Sequence, residues 1–325
     1  MARSLPQPAR VAHAAEPRSF DRRLRRLLGP DWRIAIPFVL PMVILLAGLI
    51  VYPFFEAVRL SFTNRTITGA LVNVGWANYT DLLKDRFFRD AVKVSVLYTA
   101  YSIIFKIVAG MLSALLLHNL VRGRSIFTGL VLLPWIIPTV VTALAWRSIF
   151  DPIFGGLNKF LMQTNLGNLM VSLHLIDQFP VAWLGKQDLA LPSIILVNVW
   201  KGIPFFTINL LAGLKAIDKE LYEAASVDGA GRWGAFRNVT WPGVRPATTL
   251  VVVLAIITGS NLFTEPYLLT GGGGPNGASS SPVLIMYQRG IQQGNAGAGA
   301  AIGVILVLFV GTVGLIARRI SEGSS

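Results

Sequence analysis

One apolar segment carries three side chains that could bind a ligand. Asn198, Lys201 and Phe205 are separated by three and four residues, so they share one face of an α-helix. An amide, a cation and an aromatic ring on one face suit a sugar, because hydroxyls need donors and acceptors while ring carbons stack on an aromatic surface. The alternative for Lys201 is a structural pairing with Glu265 or with a helix carbonyl.

Further polar residues lie within other apolar segments. Ser260, Asn261 and Glu265, together with Thr258, form a polar stripe in one of them. An ionisable side chain costs about 2.5–3.5 kcal/mol at the centre of a membrane helix, so it usually faces the bundle interior or a wet cavity. We therefore expect a polar path between helices. Lys106, near the middle of another apolar segment, matches no motif, which favours a structural role.

A charged segment separates two apolar segments between Ile217 and Pro246. Asp218 fits an N-cap, acidic residues follow in the first turns, and Gly229 and Gly231 predict the end of a short helix. The residues that recur at helical spacing are Leu221, Ala224, Ala225 and Asp228. Small side chains let another surface approach closely, so this face predicts docking by a soluble partner. The alternative is an amphipathic hairpin that lies on lipid headgroups.

The composition indicates a membrane protein. Hydrophobic residues make up 53% of the 325 positions and charged residues 14%, whereas roughly a quarter of the residues of a soluble domain are charged. The lack of cysteine excludes disulfides, and the histidines His13, His118 and His174 are too far apart for metal-ligand spacing, so no metal site is expected. The net charge of +13 is scattered over loops and the N-terminal tail, which argues against nucleic-acid binding.

Six apolar segments are long enough to cross a bilayer, which takes about 20 residues per helix. We predict an all-α integral membrane protein with its transmembrane domain over 34–318, a basic tail at 1–33 and a short tail at 319–325. A polar loop at 215–245 joins the fourth and fifth spans. The approximate spans are 34–55, 91–117, 126–149, 190–213, 246–268 and 298–317.

The distribution of Lys and Arg predicts the orientation. With a cytoplasmic N-terminus, 17 of these residues lie on the cytoplasmic side, 8 on the outer side and the rest inside spans. Cytoplasmic loops are enriched in positive charge, so both termini are expected to be cytoplasmic. The polar loop 215–245 is then cytoplasmic, and the long loops 56–90 and 151–189 face outward.

Several motifs resemble one family of transport proteins. Glu223-Ala224-Ala225, Asp228-Gly229-Ala230 and Thr240-Trp241-Pro242 together resemble the "EAA" loop of permease subunits in binding-protein-dependent ABC importers. The similarity is greatest to the sugar branch, of the maltose-permease and glycerol-phosphate-permease type. Segments resembling that branch follow in the same order, from about Ile34 to Arg318: Leu132–Pro138, Asn198–Phe205 and Leu268–Pro275.

The resemblance implies roles for the polar loop. In that family the loop forms a coupling helix, which sits in a cleft of the ATP-hydrolysing subunit. Glu223 and Asp228 would make polar contacts there, Ala224 and Ala225 would permit close packing, and Gly229 would turn the chain. The implied coupling residues are Glu223, Ala224, Ala225, Asp228, Gly229, Ala230 and Pro242.

The resemblance also implies a substrate cavity at Asn198, Gly202 and Phe205. Lys201 stands where the family pattern is often apolar. A cation there could hydrogen-bond a neutral disaccharide or balance a phosphate or sulfonate, so both remain open. Together with the polar stripe, the expected substrate path consists of Asn198, Lys201, Gly202, Phe205, Ser260, Asn261 and Glu265.

The function implied by the resemblance is that of a transmembrane subunit, in a bacterial inner membrane, of an ATP-driven importer for a disaccharide or related carbohydrate. The implied partners are a second permease subunit, two ATP-binding subunits and an extracytoplasmic sugar-binding protein. The sequence has no Gly-x-x-x-x-Gly-Lys-Ser/Thr loop, so we expect no enzyme activity and place ATP and Mg in the partner subunits. In the outer loops, candidate contacts for the binding protein are Trp76, Tyr79 and Trp183.

Three other functions are weighed against this interpretation. The same machinery could carry an anionic sugar derivative, such as glycerol phosphate or a sulfonated sugar. A stand-alone secondary transporter should show ionisable relays through several spans or an inverted repeat, and neither is evident in the sequence. An intramembrane enzyme should show paired acids or a histidine cluster within the spans, which the sequence does not contain.

Overall fold

The computed structural model describes residues 32–65, 69–120 and 122–322. Contacts divide the chain into two units, Met1–Glu56 and Ala57–Ser325, which are described separately. Apart from one short hairpin, the regular structure of the described residues is helical. Five of these helical runs are long and apolar enough to cross a bilayer, or six if one bent pair forms a single span. The predicted all-α membrane fold is confirmed.

The first unit contains a helix that passes through a π turn. Helix α1, Trp32–Leu46, continues through the π turn Ala47–Val51 into α2, Tyr52–Ser61, which extends into the second unit. The N–H of Tyr52 donates to the carbonyl of Ala47, one residue further back than in an α-helix. Pro53 follows and has no N–H, so the wider turn accommodates its ring without breaking the helix. The helical run ends beyond the predicted limit of 55.

The second unit is built from one hairpin and a series of helices. Strands β1, Thr63–Arg65, and β2, Leu71–Asn73, pair antiparallel. Three short turns of other helical type occur at Phe236–Thr240, Pro275–Gly277 and Gln288–Gln292. The helices are α3 (Ala77–Lys84), α4 (Arg86–Asn119), α5 (Arg124–Ile136), α6 (Thr139–Ile149), α7 (Gly156–Gln163), α8 (Leu166–Ser172), α9 (Gln187–Lys215), α10 (Lys219–Val227), α11 (Arg232–Ala235), α12 (Trp241–Ser260), α13 (Thr264–Leu269), α14 (Pro282–Tyr287) and α15 (Ala296–Glu322).

The long helices α4 and α9 pack against each other along much of their length. Gly110 permits a close approach, since a Cβ there would lie 2.7 Å from the Cβ of Phe206. Within a bilayer, helix association depends on such close packing at small residues rather than on transfer from water. Around this contact lies a buried cluster that also includes α12, formed by Met111, Ala114, Leu117, Phe206, Leu210, Leu211, Leu214, Val244, Val251 and Ala255.

The predicted span 126–149 is not one continuous helix. It consists of α5 and α6, which are bent by 91° at a short break. The break falls at Ile137, whose backbone is extended (φ −67°, ψ 129°), because Pro138 disfavours helical geometry in the residue before it. The bent pair leaves carbonyls of the last turn of α5 without helical partners.

The predicted span 246–268 is displaced towards the N-terminus. The helical run begins at Arg232, passes through the π turn Phe236–Thr240 and ends at Ser260. As in the first unit, this π turn directly precedes an X-Pro pair, here Trp241–Pro242. The chain does not stay helical up to 268, since a separate short helix begins at Thr264. Between the two helices, the carbonyl of Leu262 accepts a hydrogen bond from the hydroxyl of Ser281.

An ion pair ties the start of α4 to the segment before α15. The Asp85 carboxylate caps α4 by accepting the N–H of Phe87 (2.8 Å), and it pairs with the Arg289 guanidinium. Burial opposes ionisation of Asp85, but the bonds from Arg289 and Phe87 outweigh it and hold the pKa of this carboxyl below its usual value. The tie fixes one end of the helix that carries Lys106.

Candidate functional site

A polar cavity of about 160 Å³ lies between α4, α9 and the end of α12. It contains one cation and one anion among the described residues that line it, Lys106 and Glu265. The other lining residues supply hydroxyls, amides and apolar surface. They are Tyr98, Thr99, Ser102, Ile103, Asn198, Ala255, Thr258, Gly259, Asn261 and Leu262. The cavity therefore lies where the sequence predicts a path, although not with all the predicted residues.

Asn198 links the two charged side chains of the cavity. Its amide oxygen accepts a hydrogen bond from the ammonium of Lys106. Its amide nitrogen donates to Oε1 of Glu265 at 3.4 Å, a long hydrogen bond. We call Lys106, Asn198 and Glu265 the polar triad. Because its members lie on α4, α9 and α13, the triad connects three helices across the cavity.

Gly202 makes room for the Lys106 side chain. A Cβ at this position would lie 2.9 Å from Cδ and 3.1 Å from Nζ of Lys106, closer than such contacts normally come. The stem of Lys106 thus crosses α9 directly over Gly202 and reaches Asn198 one turn away. The predicted path residue Gly202 therefore contributes by leaving room for the Lys106 side chain, since it has no side chain of its own to present to a ligand.

Lys201 is not among the residues that line the cavity. Its ammonium donates to the carbonyl oxygen of Ile137 at 2.5 Å, at the break between α5 and α6. Of the two structural alternatives for this residue, the hydrogen bond to a backbone carbonyl is present, and Lys201 also interacts electrostatically with Glu265. The Lys201 ammonium thus satisfies a backbone group that the bend leaves without a helical partner.

Phe205 and Ser260 also lie outside the cavity lining. The Phe205 ring packs between Trp135, at 6.4 Å between centroids, and Phe206, at 6.2 Å. The Ser260 hydroxyl donates to the Ile256 carbonyl at 2.8 Å, and the residue borders an apolar groove. Of the predicted path residues, the structure brings together Asn198, Asn261 and Glu265 at the cavity, with Gly202 beside it.

The α4 wall of the cavity is absent from the sequence-based prediction. Tyr98, Ser102 and Lys106 recur every four residues and therefore share a helix face. Within the described part of the chain, the buried hydroxyl of Ser102 has no hydrogen-bond partner. The spacing of these polar residues within an apolar helix was the signal that could have identified this wall.

The charged segment between α9 and α12 contains an exposed short helix, α10. Asp218 occupies its N-cap position without a side-chain capping bond. Glu223, Ala224 and Asp228 are exposed, while Ala225 is partly buried. The helix therefore presents carboxylates and small side chains on its free surface.

The end of α10 is fixed by a glycine in the left-handed conformation. Gly229 has φ +78°, a value that other residues adopt at a cost. The N–H of Ala230 donates to the Ala225 carbonyl at 2.9 Å, and that of Gly229 to Ser226 at 3.1 Å. This pair of bonds is a Schellman motif, which ends a helix and reverses the chain. The predicted helix stop at Gly229 thus has a defined geometry.

Helix α10 is linked to the run that becomes α12. The hydroxyls of Tyr222 and Thr240 are hydrogen-bonded at 3.0 Å. Thr240 is buried in the π turn, two residues before the exposed Pro242. The predicted loop 215–245 therefore differs from the observed structure, since its second half is the start of a membrane helix.

The candidate contacts in the outer loops differ in exposure. Trp76 is 67% exposed and packs edge-on against Phe62. Tyr79 is bonded through its hydroxyl to Ser61 at 2.6 Å. The indole N–H of Trp183 donates to the buried Asn158 side chain at 3.0 Å. Trp76 is the most accessible of the three, and the others hold loops together.

Membrane-length helices around a polar cavity, with an exposed polar helix between two of them, define the membrane subunit of a transporter. A chain from a bacterial ABC transporter that imports the acidic polysaccharide alginate has the same fold, with a TM-score of 0.75 at 23% identity, covering 92% of this chain and 99% of that one. A second structure of an alginate ABC transporter, in complex with an alginate-bound periplasmic protein, gives a TM-score of 0.72 at 22% identity, covering 92% of this chain and 97% of that one.

Residues 106–323 match the family described as binding-protein-dependent transport system inner membrane component, and the chain belongs to this family. It is 33% identical to a trehalose/maltose transport system permease of Thermococcus litoralis, over 73% of this chain and 76% of the relative. It is 30% identical to an arabinooligosaccharides permease of Bacillus subtilis, over 87% of both. A trehalose permease of Mycobacterium tuberculosis is 29% identical, also over 87% of both chains. The predicted family is confirmed.

Proposed function

We propose that this chain forms half of the translocation path of an ABC-type importer for a sugar, a disaccharide or a related carbohydrate. An extracytoplasmic binding protein would deliver the sugar, and a second permease subunit would complete the path. The relatives' names, which refer to trehalose, maltose and arabinooligosaccharides, support this substrate class. The cavity lined by hydroxyls and amides supports it independently, because those groups exchange hydrogen bonds with sugar hydroxyls.

Helix α10 is the proposed docking element for an ATP-hydrolysing subunit. The observation that carries this proposal is the exposed helix with carboxylates at Glu223 and Asp228, ended by the Gly229 turn. Ala224 and Ala225 allow a partner to approach closely, Ala230 follows the turn, and Pro242 lies in the first turn of α12. Two ATP-binding subunits, with ATP and Mg bound in them, would supply the energy.

The proposed location is the bacterial inner membrane with both termini in the cytoplasm. The excess of Lys and Arg in 1–33 and in the segment around α10 supports this orientation. The loops 56–90 and 151–189 then face the binding protein, and Trp76 is the candidate contact with an exposed ring.

An anionic sugar derivative is the second candidate for the substrate. Lys201 is the residue that suggested it, and its ammonium is bonded to the Ile137 carbonyl outside the cavity. The cation that does line the cavity, Lys106, is bonded to Asn198, and the anion Glu265 lines the same cavity, so the favoured substrate is a neutral sugar. A stand-alone transporter has no evident use for an exposed helix of the α10 type.

The test is reconstitution of this chain with its genetic neighbours' products in proteoliposomes. ATPase activity should co-purify and should rise when binding protein loaded with trehalose, maltose or an arabinooligosaccharide is added. The Glu223→Arg variant should assemble into the membrane but lose most of this stimulation, because it reverses the charge of the docking face. Lys219→Glu, an exposed charge reversal at the start of α10, is the matched control.

Three results would each contradict a part of the proposal. If sugar accumulates at the wild-type rate without any ATPase subunit, the chain is a stand-alone transporter. If Glu223→Arg retains the full ATPase response, α10 is not the coupling element. If ATPase activity rises only with glycerol phosphate or a sulfonated sugar, the substrate is an anionic sugar derivative and not a neutral sugar.

A further inference from the structure

We propose that Lys106 and Glu265, bridged by Asn198, balance the charge of the cavity and restrict it to uncharged, hydroxyl-rich substrates. This inference rests on the proposed sugar import and names the substrate class of the same cavity. It assigns to Lys106 a role in determining specificity, although Lys106 belongs neither to the motifs nor to the predicted substrate path.

The charge balance follows from the lining of the cavity. Among the described lining residues, Lys106 carries the one positive charge and Glu265 the one negative charge. Both are only partly exposed, so their charges are weakly screened compared with those on the surface. An anionic substrate that paired with Lys106 would draw the cation of the cavity lining away from Glu265, and weakening the balance of a charge in such a site is costly. Lys201 also interacts electrostatically with Glu265, but its ammonium is held at the Ile137 carbonyl. A neutral substrate leaves the balance intact.

The hydrogen-bond chemistry of the triad favours the same class of ligand. Glu265 needs a donor and Lys106 needs an acceptor, and Asn198 now supplies both. A sugar hydroxyl can donate and accept, so it can replace the amide in either link. A fully ionised phosphate or sulfonate group can only accept, so that group can bond Lys106 but cannot satisfy Glu265. The hydroxyls of an anionic sugar can still donate to Glu265, so the triad discriminates by charge.

The three members of the triad line the cavity, whose volume in this chain alone is about 160 Å³. A sugar that binds there meets their hydrogen-bonding groups directly, and it can replace either link of the triad. The hydrogen bonds that Lys106 and Glu265 make with a ligand therefore determine which substrates bind.

The experiment is a double-mutant cycle on the assembled transporter in nanodiscs. The binding protein is left out, because its own selectivity would otherwise determine which ligand reaches the transporter. Equilibrium binding of radiolabelled trehalose and of trehalose 6-phosphate is measured for wild type, Lys106→Met, Glu265→Gln and the double variant. Wild type should prefer trehalose by at least about tenfold, which corresponds to 1.4 kcal/mol. Glu265→Gln should lose or invert that preference, and Lys106→Met should bind trehalose more weakly.

The double variant decides between coupling and independent effects. Under charge balance it should bind trehalose several-fold better than Lys106→Met, since the cavity lining then keeps neither charge of the pair. Additive losses, or an unchanged trehalose preference in Glu265→Gln, would overturn the proposal. Lys93→Met removes an exposed cation from the same helix outside the cavity and should leave the preference unchanged.

Two further measurements distinguish a failure of this inference from misassembly of a variant and from a failure of the proposed import function. If Lys106→Met does not assemble, Lys106→Gln keeps a donor and an acceptor without charge, and it should show the same loss of trehalose binding. ATPase stimulation by sugar-loaded binding protein reports on the proposed function itself. Normal stimulation together with an unaltered ligand preference in all variants refutes the triad alone, whereas absence of any stimulation in wild type refutes the import function.

Discussion

A single lysine shows how a polar residue in a membrane helix can serve the fold. Pro138 forces an extended conformation on Ile137 and so bends α5 against α6. The bend frees a carbonyl at membrane depth, where water is scarce and every backbone group needs a partner. Lys201 supplies that partner from α9. Its charge is thus used to stabilise a broken helix.

Replacement of Lys201 should therefore affect stability more than substrate choice. Lys201→Met leaves the Ile137 carbonyl without its donor and should lower the free energy of unfolding by about 1–3 kcal/mol. Lys201→Arg retains a donor and should lose less. Thermal unfolding of the purified transporter in detergent measures both, with the exposed Lys219→Met as control. Unchanged stability together with an altered order of sugar preference would return Lys201 to the substrate path.

At the scale of elements, two prolines have similar effects on two helices. A π turn precedes Tyr52–Pro53, and another precedes Trp241–Pro242. Each widened turn keeps the backbone hydrogen-bonded where a proline lacks its N–H. The second π turn also places Thr240 against Tyr222, so a hydrogen bond joins α10 to the helix that ends at the cavity.

Two glycines beside α10 provide a controlled test of its end. Gly229 and Gly231 both have open space where a Cβ would be, but only Gly229 of the two has a positive φ. Gly229→Ala should cost about 1–2 kcal/mol in the local turn, and it should reduce the sugar imported per ATP hydrolysed. Gly231→Ala should leave this ratio unchanged. Uptake and ATPase rates are measured in the same proteoliposomes.

Asparagine offers a conservative substitution for Gly229. Gly229→Asn should retain more coupling than Gly229→Ala, because asparagine tolerates the left-handed region. Equal effects of alanine at Gly229 and Gly231 would show that the backbone geometry of this turn does not matter for coupling.

At the scale of the whole molecule, the absence of cysteine makes the topology directly measurable. Single cysteines at exposed serines, Ser172→Cys in α8 and Ser226→Cys in α10, can be labelled with a membrane-impermeant maleimide without background from this chain. Ser172→Cys should react in right-side-out vesicles. Ser226→Cys should react only in inside-out vesicles, because the excess of basic residues places α10 in the cytoplasm. The reverse pattern would invert the proposed orientation.

The sequence and the structure agree best where a pattern is local. The helix stop at Gly229 could be predicted because the left-handed geometry of its turn depends on residues within one segment. The end of the fifth span could not, because the hydrogen bond from Ser281 to the Leu262 carbonyl joins residues from separate segments, and the apolar run to 268 gives no sign of it. Hydrophobic length alone does not distinguish a continuous helix from a broken one.

The amino-acid sequence by itself determined the membrane class, the exposed polar helix and the family, because these depend on composition, on local spacing and on motifs. Tertiary structure alone decided which polar side chains meet. Lys106 and Asn198 are 92 residues apart in sequence, and their contact depends on the room that Gly202 leaves between α4 and α9. Lys201, on the same turn as Gly202, faces the bend at Ile137 instead. The physical reason is that helix rotation and packing select the facing residues, and neither is encoded in the spacing of one helix.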